Sequence, residues 1–493
     1  MSEAQRKADS IVLAKGVLVN FIGILSKSSR GISYIVITRL MGAHIFGVFS
    51  LCWSFVEMMS RFSIVGLEHA NIRFVAQKEE GQKPSAIIAY SYKLIIITSL
   101  SCMIIGGFSA PWIAKFFLKD LQAVGPLRWL LISVPFLAIS TVSLRALMGL
   151  KIMKYEVWVR SLIEPLSFLS LVLIFYFFGW RLQGIITAHV LAMMLGMIAS
   201  IVFLFRHHLF PKTWKVEREF SRKIRKYIIP LSFYDALNFL LIKKDIFLIG
   251  FFLDPMAVGF FAVANEIAMS ANKISQAFGP IFYPIAAELH HTKDYNRLKQ
   301  NYKMTFRWSL GLHLLFIAIM WFLGKPILFL FGKEFVSVYQ ALFVLVVGYG
   351  IRGIFAPADA SLLMGGHSLL NLINTIALMV INVGANIILI PHYGILGAAI
   401  GTCASMVLID IVRVTEVYFL FKKHPFDGST LKLVGASLVA IALVVLFDTW
   451  FSNIIINIAV LIVSFLLSLA LLGLEPEDRA MVRMLLSKAR GLL

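Results

Sequence analysis

The sequence predicts an all-α polytopic membrane protein of about fourteen transmembrane helices: two six-helix lobes related by a pseudo-two-fold repeat, plus two extra C-terminal helices. Three observations predict it. Of 493 residues, 59% are hydrophobic and 15% charged, and mean hydropathy is +0.85, well outside the soluble globular range. Apolar runs of about 20 residues, enough to cross a bilayer core of roughly 30 Å as helix, recur from Ile11 to Gly473. Short motifs also recur between the two halves of the chain at a nearly constant offset. The runs are long and Leu/Ile-rich rather than ten-residue alternations, which disfavours a β-barrel.

In chain order the predicted spans cover 11–38, 44–67, 86–112, 127–150, 155–179, 182–205, 227–253, 256–287, 304–323, 336–366, 368–390, 394–421, 431–449 and 453–473. The polar start MSEAQRKADS precedes the first run and no cleavage site follows it, so that run is expected to be a retained span rather than a signal peptide. Loop charge then sets orientation. Of the 46 Lys and Arg, 28 lie in loops on the N-terminal side and seven on the opposite side. Both termini are therefore expected in the cytoplasm. The formal charge of +20 is this topological surplus, not a nucleic-acid footprint. Cys52, Cys102 and Cys403 are scattered within spans without metal-ligand spacing and are read as packing residues.

Leu147-Met148-Gly149 recurs as Leu363-Met364-Gly365, a shift of 216, and Gly47-Val48-Phe49 as Gly259-Phe260-Phe261, a shift of 212. Gly184 matches Gly397 at 213, and Leu204 to His208 match Leu420 to His424 at 216. The repeating unit holds six spans. An even number makes both copies enter the membrane in the same direction, around an axis along the membrane normal. The expected organisation is an N-terminal lobe over 1–205, a basic cytoplasmic linker helix over 206–226, a C-terminal lobe over 227–424, two added spans over 425–474 and a cytoplasmic amphipathic tail over 475–493. In the linker, Val216, Phe220, Ile224 and Tyr227 fall near helical spacing amid Arg218, Arg222, Lys223 and Arg225, the pattern of a helix lying on anionic lipid.

Eleven Lys and Arg residues fall inside the spans more than four residues from either end. Each costs about 2.5 to 3.5 kcal/mol near the bilayer centre, so such residues face protein or water and carry function. Lys93, Arg145, Arg160 and Arg413 lie near predicted cytoplasmic ends, where snorkelling to headgroups accounts for them, and Arg160–Glu164 and Arg413–Glu416 are spaced to pair along one helix. The central group carries more weight. Lys27 and Arg30 share a stripe with Asn20 and Tyr34; Glu57 precedes Arg61 by four residues; Glu266 and Lys273 share a face; Arg352 and Asp359 stand two turns apart; and Asp235 and Asp245 lie beside Lys243 and Lys244. Eight acids within the spans leave a surplus of about three positive charges, which argues for an anionic substrate.

The chain has no Gly-rich nucleotide loop ending in Lys-Ser/Thr, no zinc-protease motif, and no paired catalytic carboxylates in a soluble segment; His290-His291 is a loop pair without a third ligand. The reading is a transporter rather than an enzyme, without metal or cofactor, driven by an ion gradient, membrane potential or substrate flux.

Arg39-Leu40-Met41-Gly42 followed by Phe46-Gly47-Val48-Phe49, and Gly66-Leu67, Ala70 and Arg73-Phe74-Val75-Ala76, resemble passages of the polysaccharide and O-antigen flippases of the multidrug/oligosaccharidyl-lipid/polysaccharide (MOP) exporter superfamily. The layout resembles that family over nearly the whole chain, while these motifs cover about 40 residues. The resemblance implies a flippase in the bacterial inner membrane that moves an undecaprenyl-pyrophosphate-linked oligosaccharide outward by alternating access, for O-antigen, lipopolysaccharide or exopolysaccharide synthesis. Implied partners are that glycan, membrane lipids, a polysaccharide polymerase and other assembly proteins. Lys27, Arg30, Arg61, Lys273 and Arg352 are the expected substrate-binding cations, and Glu57, Asp235, Glu266 and Asp359 the coupling or charge-balancing acids. Two rivals share the superfamily. A lipid II flippase is faintly suggested by Ser28-Ser29-Arg30-Gly31, and a cation-coupled multidrug antiporter shares the twelve-span core but exports cations, which a positive cavity repels. A membrane scaffold, a different class, predicts charges that pair completely.

Overall fold

The computed structural model describes residues 29–77, 84–211, 218–292, 294–422, 426, 428–448 and 454–471. Among them the regular structure is helical, with no strand. Among the described residues, each of the fourteen predicted spans falls mainly on helix, the first from Ser29 onward. Eight continuous helical stretches are long and apolar enough to cross a membrane. The difference between eight and fourteen has local causes.

Helices α1 (Ser29–Ile64) and α14 (Ser368–Phe421) each contain two predicted spans. As one straight rod, the 54 residues of α14 would reach about 80 Å, far beyond a bilayer core. Gly394 interrupts it with φ 58° and ψ −134°, and Gly42 interrupts α1 with φ 79° and ψ 171°. These are left-handed conformations that favour glycine. The two arms of α14 run back along each other: Asn382 donates to Thr402 at 3.1 Å, Asn374 to Glu416 at 2.6 Å, and Arg413 to Asn371 at 3.2 Å. From Asn371–Arg413 to Asn382–Thr402 the numbers rise on one arm and fall on the other, which defines an antiparallel hairpin. In α1, Tyr34 likewise packs edge-on against Phe46 at 5.2 Å between ring centres.

The remaining predicted spans are shorter or more polar. Helix α9 (Arg218–Phe252) carries Arg222, Lys223, Arg225 and Lys226 just after its first turn and four charges in its middle. The eighth span breaks at Met269-Ser270 into α10 (Pro255–Ala268) and α11 (Ala271–His291). Helices α15 (Gly428–Asp448) and α16 (Ile454–Leu471) have apolar stretches of only Thr430–Val444 and Ile456–Ser468. Large apolar side chains such as Ile97, Phe108 and Leu466 point outward, where water would penalise them and lipid does not.

The described chain divides into two compact units, one ending at Ala262 and the other beginning at Val263. The boundary lies within α10 rather than at the basic linker. The reason is that α9 packs on α1: Lys243 pairs with Glu57 at 3.2 Å, and Gly250 lies against Leu51. The first turns of α9 correct the interfacial-helix expectation. Phe220 and Ile224 are buried against protein, with Phe74 edge-on to Phe220 and Tyr227, rather than turned toward lipid. Val216 and the tail over 475–493 lie outside the described residues.

The other helices of the first unit are α2 (Leu67–Gln77), α3 (Pro84–Ile113), α4 (Val124–Leu131), α5 (Ser133–Gly149), α6 (Lys154–Val157), α7 (Glu164–Phe177) and α8 (Leu182–Arg206). Its core joins Leu67, Val75, Ile88, Val142, Leu147 and Leu204. Gly47 and Gly259, matched by the repeat, touch: a methyl on Gly259 would overlap the Ala43 carbonyl, and one on Gly47 the Pro255 carbonyl. Such contact needs residues without side chains. In the second unit, α12 (Tyr295–Phe331) and α13 (Tyr339–Met364) accompany α14, and α15 and α16 dock through Leu433, Val444, Leu461 and Phe465 beside Phe306 and Leu310.

Candidate functional site

The first unit encloses a cavity of about 350 Å³, lined from α1, α2, α5, α6, α7 and α8. It combines a charged wall with an aromatic end. On the charged wall, Arg61 from α1 reaches Glu68 of α2, Nη1 to Oε1, at 3.2 Å. The other Glu68 oxygen faces Nε of Arg145 from α5 at 3.5 Å, and Arg145 Nη1 lies 4.0 Å from Glu156. One carboxylate thus bridges two guanidiniums. Between α1 and α2 the backbone turns through Val65 (φ 49°) and Gly66 (φ 69°), which places Glu68 beneath Arg61 although the two are seven residues apart.

Arg160 forms a second pair. It donates to Glu164 at 2.6 Å and to Thr141 at 2.7 Å. The segment Trp158–Ile163 around it is a π-helical turn. Pro165 follows directly and has no N–H to give to the preceding turn, which favours the widening there. Across from it, Gly196 on α8 makes room for the carboxylate: a methyl at that position would lie 2.6 Å from Glu164 Oε1. The two side chains are 18% and 5% exposed, so the pair is largely shielded from water.

At the aromatic end, His189 is enclosed by Trp53, Phe49 and Phe168, with ring centres 4.1, 5.4 and 5.0 Å away. A cavity with apolar faces and a few convergent charges is the usual form of a small-molecule site.

Of the sequence-predicted residues, Arg61 and Glu57 line this cavity. Glu57 pairs with Lys243 across helices rather than with Arg61 along its own. Asp235 on α9 meets His69 at 3.2 Å beside the site. Lys27 and the side chain of Arg30 lie outside the described residues. Lys273, Arg352, Glu266 and Asp359 belong to the second unit. There Arg352 pairs with Asp410 at 3.8 Å, and Arg413 with Asp359 at 3.3 Å and Asp410 at 3.6 Å. Arg413 therefore pairs with these acids instead of with Glu416, which accepts from Asn374. Lys273 is half-buried on α11 and Glu266 exposed on α10.

Sequence reasoning missed Glu68 and Glu156 and set Arg145 and Arg160 aside as snorkelling residues. Glu68 fell one residue past a predicted span end, although it sits inside the Gly66-Leu67 to Arg73 motif. Its burial at 7% exposed changes the charge count. With Lys243 behind Glu57, four cations meet four acids at this cavity among the described residues, so the expected positive surplus is not located there. Glu68, His69 and Asp235 also bring potential ligand atoms within 4.8 Å of one another. Two guanidiniums already face Glu68, however, and their charge repels a metal ion.

The model of the polysaccharide biosynthesis protein family matches residues 13–290, more than half of the chain. The chain belongs to that family. The chain is 25% identical to an uncharacterised membrane protein of Methanocaldococcus jannaschii, over 77% of this chain and 78% of the relative. It is 27% identical to the probable flippase AglR of Haloferax volcanii over 50% of this chain and 53% of that one. Among solved structures, an inward-facing MATE family multidrug transporter of the MOP superfamily superposes with a TM-score of 0.71 at 18% identity, covering 83% of this chain and 98% of the other. The lipid II flippase MurJ, in an inward closed conformation, gives 0.69 at 15% identity, covering 90% and 98%. The chain thus shares the fold of these two transporters and is a multi-pass membrane protein.

Proposed function

We propose that this protein is a flippase that moves a polyprenyl-pyrophosphate-linked oligosaccharide, of the undecaprenyl type expected from sequence, from the cytoplasmic to the outer leaflet by alternating access. The observation that carries this reading is the convergence of Arg61, Arg145 and Arg160 on one cavity inside an apolar helical unit. Guanidiniums pair with phosphate oxygens two at a time, and their attraction is strong where little water screens it. The family's role in polysaccharide biosynthesis and the similarity to a probable flippase support the same substrate class. The polyprenyl tail remains in lipid while the headgroup crosses. Lys27, Arg30, Lys273 and Arg352 are further proposed contacts, with Asp235, Glu266 and Asp359 as balancing acids.

The test is mass spectrometry of lipid-linked intermediates in cells depleted of the protein and rescued with wild type or with an Arg145→Ala, Arg160→Ala double variant. Accumulation of a complete lipid-linked repeat unit, relieved by wild type and not by the variant, is the expected result. Accumulation of lipid II instead moves the substrate to the peptidoglycan precursor, and accumulation of neither rejects the flippase reading.

A second reading rests on the four cavity acids, Glu57, Glu68, Glu156 and Glu164. Carboxylates in a transporter of this fold also suit export of organic cations. Proton- or sodium-driven efflux of a cationic dye from proteoliposomes, lost in Glu164→Gln, would select it over the flippase.

A further inference from the structure

We propose that Glu68 is a built-in stand-in for the substrate anion: it occupies the phosphate subsite formed by Arg61 and Arg145 until a phosphate or pyrophosphate group displaces it. This rests on the anion-binding reading of the cavity and adds to it where the anion sits and what it competes with.

Four observations carry the inference. Each Glu68 oxygen engages a guanidinium from a different helix, 3.2 Å from Arg61 and 3.5 Å from Arg145, the bridging arrangement that two oxygens of one phosphate also make. The acid and its partners differ in exposure. The Glu68 side chain is 9% exposed, whereas Arg61 and Arg145 are 39% and 29% exposed, so both cations keep an open face while the acid sits behind them. Arg145 is also poorly matched. Its Nη1 donates at 3.1 Å to the sulfur of Met148, a weak acceptor, and stands 4.0 Å from Glu156. A guanidinium that spends a donor on a thioether has capacity for a better oxygen. Glu68 follows Val65 and Gly66, both with positive φ, so it begins a new helix rather than extending a rigid one, and a change at that turn would withdraw it.

The stand-in gives the subsite two properties. It keeps two partly buried cations paired when no ligand is present, avoiding the penalty of uncompensated charge. It also lowers apparent affinity by the fraction of time that the arginines are taken, which helps the ligand leave after crossing.

The experiment measures equilibrium binding of two probes, inorganic pyrophosphate and undecaprenyl pyrophosphate, to the full chain in neutral-lipid nanodiscs. Wild type is compared with Glu68→Gln, Glu68→Ala, Arg145→Gln and Glu68→Gln, Arg145→Gln. If Glu68 holds the arginines nine-tenths of the time, both Glu68 variants bind about tenfold more tightly. Arg145→Gln binds more weakly, and the double variant loses the gain. Tightening for both probes assigns the subsite to the phosphate group itself, and tightening for the lipid-linked probe alone assigns it to a phosphate presented from the membrane. Unchanged or weaker binding in both Glu68 variants overturns the inference and makes Glu68 a structural brace, leaving the anion site intact. Absence of binding to wild type and every variant overturns this inference and the anion-binding reading together.

Discussion

Arg160 and Glu164 show how one pair of side chains governs both stability and the site. Glu164 is held by a guanidinium at 2.6 Å in a space that Gly196 leaves open. Removing the arginine strands a buried carboxylate, which costs more than the pair itself contributes. Arg160→Met is expected to destabilise the protein by about 3 kcal/mol, and adding Glu164→Gln to restore most of it. Thermal unfolding in detergent reads both, and equal loss in single and double variants would show that the carboxylate is not the origin. Gly196→Ala tests the same space from the opposite helix. Its methyl must displace Glu164, so we expect a loss of roughly 1 to 3 kcal/mol and weaker pyrophosphate binding, with unchanged melting as the contrary result.

At the level of elements, breaks in the helices position the chemistry. Gly42 divides α1, Val65 and Gly66 separate α1 from α2, and the π-helical turn at Trp158–Ile163 precedes Pro165. Gly42→Ala would place a side chain at φ 79°, at a cost of roughly 1 to 2 kcal/mol, and should lower the yield of folded protein. Gly47→Val should be worse, because the contact with α10 has no room for any side chain; normal expression of that variant would show that the packing is not required. The helices themselves were legible in the sequence, since length and hydropathy report burial in lipid directly. Repeat matching pairs Gly47 with Gly259 as equivalent positions, but that the two touch follows from the packing and not from the repeat. The ion pairs were not legible. Pairing within a helix follows from spacing, as with Arg160 and Glu164, but Glu57 with Lys243 and Glu68 with Arg145 depend on how helices are juxtaposed, which spacing along one helix does not encode.

For the whole molecule, an apolar exterior and a polar cavity in one unit are what the proposed carriage of a charged headgroup would require, with a surface that remains compatible with lipid. Proteoliposomes loaded with a fluorescent prenyl-pyrophosphate oligosaccharide should flip it faster when a potassium diffusion potential makes the starting compartment negative. Identical rates at either polarity would argue that charge does not move with the cargo. Among the described residues four cations balance four acids at the cavity, and if the further proposed contacts are paired as fully, that balance has an electrical meaning. A neutral empty site experiences no net force from the transmembrane voltage, so its return would cost nothing electrically. In the proposed cycle the loaded site would bear the headgroup's negative charge, and each elementary charge carried outward from a negative interior would gain about 2.3 kcal/mol per 100 mV. The resting potential would then bias the cycle in one direction, pushing the cargo and sparing the carrier.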